Sequence, residues 1–320
     1  MSRVPPAGAH GGDGARVARA LGLDLDQVLD LSQTLNPVAR DPKPVVAAHL
    51  DEIGRYPDRA RAHESLAAAM SVDADRLLLT NGGAEAIALV AAELGGFVHE
   101  PEFSLHPRGH GPRWRSNPHS PTGLLAEPAD RADVWDEAFY PLATGHWSRG
   151  DEGVVVVGSL TKLLACPGLR IGYVLASPAL IERCQARQPA WSLNGLAAAA
   201  LPDLLAPLDL ARDCCAVREL RERLRALLER RGLCVRSSDA PWLLVELPGL
   251  REILAPEGIV VRDCTSFGMA GVARVAVPNE AGLERLDRAL DKLEREIEES
   301  LRRVGSGSDV SKRGKGRFHD

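Results

Sequence analysis

The run Val154-Val155-Val156-Val157 constrains this 320-residue chain more than any other stretch. Four consecutive β-branched apolar residues leave no polar face, so the segment predicts a strand covered on both sides. It ends in Gly158-Ser159. Lys162 follows at the mouth of the strand, and Arg170 comes eight residues later, just past Pro167-Gly168. Leu77-Leu78-Leu79, ending at Thr80, predicts a second buried strand. Ala84 to Leu94 (AEAIALVAAEL) then predicts a helix, being rich in good helix formers with apolar residues at helical spacing. Alternating strands and helices point to an α/β sheet with parallel strands.

The later part reads differently. Asp213 to Arg231 predicts a long amphipathic helix stopped by Gly232. Three short alternating strands follow at Trp242 to Leu247, Ile259 to Arg262 and Ala273 to Val277, then a charged helix from about Glu280 to Arg303. This block predicts a second, smaller α+β domain. The tail from Gly305 is Gly/Ser- and Lys/Arg-rich, a composition that predicts disorder.

The formal net charge of −5 gives no reason to expect a nucleic-acid partner. No apolar run approaches the ~18–20 residues of a membrane span, and MSRVPPAGAHGGDG has no apolar signal core, so a cytoplasmic protein is expected. The six cysteines lack the C-x-x-C spacing of a metal site and are expected to be reduced thiols, mostly buried.

A lysine at a strand end is most often a solvated surface residue. Here Ser159 and Thr161 bracket it with hydroxyls, and Arg170 adds a rigid cationic fork suited to phosphate. Upstream, Asn81-Gly82-Gly83-Ala84 is a small-residue turn into a helix, whose free N–H groups and dipole suit an anion. Two phosphate-type elements around one lysine imply a phosphorylated cofactor held covalently, and pyridoxal phosphate fits that description. The acid its ring nitrogen needs is available as Asp136 in VWDEAF.

With these residues placed, the chain resembles the fold-type-I pyridoxal-phosphate enzymes of the aspartate aminotransferase superfamily. Within them it is most similar to the threonine-phosphate decarboxylase branch of cobalamin biosynthesis, and next to the histidinol-phosphate aminotransferases. The resemblance runs from about His10 to Leu290 through AHGGDGARVARALGL, DLSQTLNP, RYPD, TNGGAEAI, NPHSPTG, DEAF, SLTKLLACPGLRIGY, AWSLNGLAAAA and VRDCTSFG. It implies an N-terminal arm and small-domain segment over 1–44, a cofactor-binding large domain over 45–205 and a small α+β domain over 206–304. The basic tail covers 305–320.

The resemblance also implies roles. Lys162 is the Schiff-base lysine and Asp136 the partner of the pyridine nitrogen. Gly83, Ala84, Ser159, Thr161 and Arg170 belong to the cofactor site, with Arg170, Ser159 and the backbone at Gly83 and Ala84 on the phosphate. Tyr56 reaches the partner subunit's cofactor in a homodimer with shared sites. Arg274, Arg262, His10, Thr34, Asn36 and Asn194 contact a phosphorylated amino-acid substrate. The plainer alternatives are a packing role for Tyr56, a loose terminal His10, arginines paired with nearby acids, a turn at Asn36-Pro37 and a core Trp191.

Three departures stand out. Ser120 replaces the family's asparagine that donates to the cofactor's phenolic oxygen, and His106 falls where an aromatic stacks on the ring. Between His106 and Asn117 only PRGHGPRWRS remains, too short for a βαβ unit of ~30 residues, so a narrower sheet is expected. The activity implied is decarboxylation of a substrate such as L-threonine O-3-phosphate. Transamination of histidinol-phosphate type is the main alternative, and a cofactor-binding protein without turnover is the third.

Overall fold

The valines of the 154–157 run divide their side chains between two cores. In the computed structural model, which describes residues 4–151 and 153–307 with side chains as far as 295, Val156 clusters with Leu79, Ile171 and Tyr173. Val155 and Val157 cluster with Leu78 and Val174 on the opposite face. Helices Ala60–Met70 and Gly195–Leu205 supply Leu66 and Leu201 to the first core, and helix Gly82–Leu94 supplies Ile87 and Val90 to the second. Each fully buried side chain of this kind is worth roughly 1.5–3 kcal/mol. A strand between two such layers has no use for a polar face.

Ten strands are described: β1 Leu29–Leu31, β2 Leu77–Asn81, β3 Trp114–Ser116, β4 Val134–Asp136, β5 Val155–Ser159, β6 Ile171–Leu175, β7 Cys234–Arg236, β8 Trp242–Glu246, β9 Ile259–Asp263 and β10 Val272–Ala276. The first sheet runs β2-β6-β5-β4-β3. Strands β3, β4 and β5 pair in parallel, while β6 is antiparallel to both β5 and β2. Four strands therefore point one way, and the segments leaving their carboxyl ends gather at one edge of the sheet. That is where α/β sheets place their ligands.

The second sheet runs β1-β9-β10-β8-β7, parallel only between β1 and β9. The strand near residue 30 thus completes a sheet otherwise made after residue 230. Residues up to Asn279 form one compact unit holding both sheets, and a second unit begins at Glu280 with the helix Glu280–Gly307. Of the tail expected to be disordered, 305–307 continue that helix and 308–320 lie outside the described residues. Among the described residues no helix is long and apolar enough to cross a membrane. All six cysteines are free; Cys166, Cys184, Cys214 and Cys264 are buried, while Cys215 and Cys234 are exposed.

The shortened stretch after His106 forms no helix, but it does form β3, anchored by the buried Trp114. Among the described residues, only an isolated bridge, Phe97 to Arg113, continues the pairing outside β3. The first sheet stops there at five strands.

Candidate active site

Helix Gly82–Leu94 begins directly at the end of β2, and the Asn81 side chain does not cap it. Gly83 and Ala84, in its uncapped first turn, line a cavity of about 370 Å³, a volume typical of cofactor and small-molecule sites. Gly82 has φ +72°, and a Cβ there would collide with the Arg170 guanidinium. Arg170 itself holds φ +55°, a left-handed conformation that costs a non-glycine residue roughly 1–2 kcal/mol. Among the described residues its guanidinium makes no hydrogen bond or ion pair. Free N–H groups, an unpaired guanidinium and the Ser159 hydroxyl converge here, the donor set of a phosphate site.

Lys162 follows β5 on the short helix Leu160–Leu163 and lines the same cavity, as does the buried Thr161. Burial, then the charges of Arg274 and Arg170, pull its amine down from 10.5 to about 8 against the opposing influence of Asp136. Asn36 does not reach the cavity. Its N–H donates to the Lys162 carbonyl at 2.9 Å, and its side-chain amide donates to the Leu163 carbonyl and the Asp213 carboxylate, each at 3.0 Å. The residue expected on the substrate instead fastens the backbone that carries the lysine.

The opposite wall departs from expectation at His106. Its ring does not line the cavity; it is fully buried, with Nε2 2.9 Å from Asp136 Oδ2. A buried carboxylate needs donors, and the imidazole is one while the Ala138 N–H, 3.0 Å from Oδ1, is another. The aromatic face at the cavity comes from Phe103, three residues earlier, which meets His106 edge-on at 5.6 Å. Phe139, three residues past Asp136, adds a second ring. Neither was singled out in the sequence, although both sit in the motifs EPEFSLH and DEAF. Ser120 lines the cavity as expected, its N–H fixed on Ser116 Oγ at 2.7 Å.

Arg262 and Arg274 are paired across the antiparallel strands β9 and β10, and both side chains line the cavity while buried. Directly opposed like charges repel, and among the described residues neither has a carboxylate partner. Arg262 lies 4.3 Å above the Phe267 ring and donates to the Ala9 carbonyl, while Arg274 lies 4.8 Å above Trp242. Burial, then the charge of Arg262, push Arg274 below the ordinary guanidinium range. The alternative of arginines paired with nearby acids does not hold here. Two adjacent buried cations without a counter-ion are costly to keep in a cavity wall.

His10 and the buried Thr34 also line the cavity, and burial with the charges of Arg262 and Lys162 lowers His10. Asn194 lies outside it: its Oδ1 caps helix Gly195–Leu205 at the Ala197 N–H and its Nδ2 donates to the Leu169 carbonyl. Tyr56 is 79% exposed and also outside, stacked at 4.6 Å on Trp191. Trp191, expected in the core, is 62% exposed.

Comparison with known proteins identifies a family. Residues 114–293 match the family model described as aminotransferase class I and II. The chain is 31% identical to the threonine-phosphate decarboxylase of Salmonella typhimurium, over 88% of this chain and 95% of that protein. The alignment, 349 positions, is longer than this chain, so gaps fall where segments are absent here. Identity to histidinol-phosphate aminotransferase 1 of Dechloromonas aromatica is 25%, over 86% and 92% of the two chains. A crystal structure of histidinol-phosphate aminotransferase from Sinorhizobium meliloti in complex with pyridoxal-5'-phosphate shares the fold, with a TM-score of 0.74 at 15% identity over 89% and 95% of the chains. With a lysine at the mouth of a buried strand, a phosphate cradle beside it and a carboxylate across the cavity, this chain belongs to the class I and II aminotransferase family, whose cofactor is pyridoxal 5'-phosphate.

Proposed function

We propose that the protein decarboxylates a phosphorylated amino acid such as L-threonine O-3-phosphate, giving 1-aminopropan-2-ol O-phosphate. The observation that carries the reading is the uncompensated pair Arg262 and Arg274. With Arg170 and the helix N-terminus on the cofactor phosphate, this pair leaves two cations, beside His10, for a substrate carrying both a carboxylate and a phosphate. The name of the relative from Salmonella typhimurium supports the same substrate class.

When bound, the cofactor supplies a carbonyl that joins amines and a ring that takes up the electron pair of a broken α-carbon bond. The chain's residues do the rest. Asp136, held by His106, offers its carboxylate to the ring nitrogen. Ser120 is the hydroxyl available to the phenolic oxygen. Lys162, held at about 8, gives up and accepts a proton at Nζ near neutral pH. Phe103, Leu105 and Phe139 give the cavity an apolar side. The exposed Leu50, Ile53, Tyr56 and Trp191 are the face on which a second copy seats, bringing Tyr56 to its partner's cavity.

Transamination is the second reading, favoured by the histidinol-phosphate aminotransferase relative. Incubation of loaded protein with L-threonine O-3-phosphate separates the two. Release of carbon dioxide and a phosphorylated amino alcohol, without keto acid, is the expected result. Keto acid formed in step with a second amino donor overturns the proposal. A loaded protein that turns over neither substrate supports the third reading, cofactor binding without catalysis.

A further inference from the structure

Glu102 is a buried carboxylate, 3% exposed, that pairs with no arginine or lysine among the described residues. Taking such a charge from water is costly unless several donors surround it. Oε2 accepts the Ser116 N–H at 3.0 Å, and Oε1 accepts both the Ser116 hydroxyl and the Phe103 N–H. The first of these N–H groups belongs to β3, the last strand of its sheet. Glu102 thus takes the hydrogen bond that a neighbouring strand otherwise accepts.

The same carboxylate touches both functional features of this wall. Ser116 Oγ, which donates to Glu102, accepts the Ser120 N–H, so the loop bearing Ser120 is tied to it. On the other side, His106 stands between two acids: Nε2 is 2.9 Å from Asp136 Oδ2, and Nδ1 is 3.8 Å from Glu102 Oε1. Nδ1 is buried and has no hydrogen-bond partner. A negative charge at that end of the ring acts on the imidazole from the side opposite Asp136 and so alters the field in which Nε2 meets Oδ2.

We propose that Glu102 is a positioning residue for this wall, acting on Asp136 through His106. The inference rests on the reading of Asp136 as the partner of the cofactor's ring nitrogen. It goes beyond that reading in tying the electronic state of the cofactor to a residue outside the cavity.

The test is a double-mutant cycle on cofactor-loaded protein, read as the pH midpoint at which the bound cofactor's absorbance changes. Glu102→Gln is expected to move the midpoint by about 0.5 unit, and the shift is expected to fall below about 0.2 unit in the His106→Phe background. A shift equal in both backgrounds reveals an edge cap alone and overturns the proposal, as does no shift in the wild-type background. Asp136→Asn, run in parallel, separates the two levels. If it moves the midpoint and Glu102→Gln does not, only the present inference fails; if neither moves it, the reading of Asp136 fails as well. Should Glu102→Gln not fold, Glu102→Asp, which draws the carboxylate back from His106, is judged by the same two criteria.

Discussion

The two walls of the cavity are built by different means. On one, Lys162, Ser159, Arg170 and the Gly82–Leu94 helix come from contiguous motifs and line the cavity together. On the other, a shortened chain supports Asp136 and Ser120 with a two-strand margin, β4 and β3, closed by single side chains. The first wall can be read from local motifs, a strand end and a turn, although Asn36 braces it from 127 positions before Leu163. The second is specified by contacts between residues 14 to 30 positions apart, such as Glu102 with Ser116 and His106 with Asp136. Local chemistry survives loss of neighbouring chain; the supporting contacts have to be remade.

The largest effect that sharpens this contrast is expected on the motif wall. Lys162→Ala loses at least about 10³-fold in turnover, because both covalent capture and proton transfer end at that amine. Product release from the phosphorylated amino acid measures it, and retention of more than a tenth of wild-type turnover breaks the account. Next comes Arg274→Met, on the proposed substrate anion site. A fall of about 100-fold in kcat/KM is expected, together with a gain in stability once the unpaired buried cation is gone. Denaturant unfolding and steady-state kinetics must move in opposite directions; loss of both marks Arg274 as structural.

A smaller effect concerns pH. The neutral amine attacks carbonyls, and Lys162 is held at about 8 rather than 10.5. The rate of cofactor capture by apoprotein therefore rises about tenfold per pH unit up to about 8 and then levels. A rate still climbing at pH 10 shows an amine that is not depressed. Smallest is Asn194→Ala, which removes a helix cap worth about 1 kcal/mol and leaves kcat/KM within about twofold. A tenfold loss there restores Asn194 to the substrate site.

Much of the motif wall and the fold was legible in the sequence, because four valines, a triple leucine and an alanine-rich helix carry strong local signals. β1, β3, β4 and β7 were not, since three residues are too few to show a period, and β6 was not singled out as a strand either. The expectation for Trp191 rested on its hydrophobicity alone; its ring lies exposed against Tyr56. The role of Asn36 was hidden because a side-chain amide that bonds Leu163 and Asp213 leaves no mark except a turn-like Asn-Pro. His106 was assigned by its place in a motif, whereas the deciding fact is a buried carboxylate 30 residues away that needs its proton.

The most direct measurement reduces the cofactor-loaded protein with borohydride and maps the label by mass. The chain has five lysines, Lys43, Lys162, Lys292, Lys312 and Lys315, so the assignment is discriminating. The account predicts one pyridoxyl group on the peptide containing Lys162. No label, or a label on any of the other four, contradicts it.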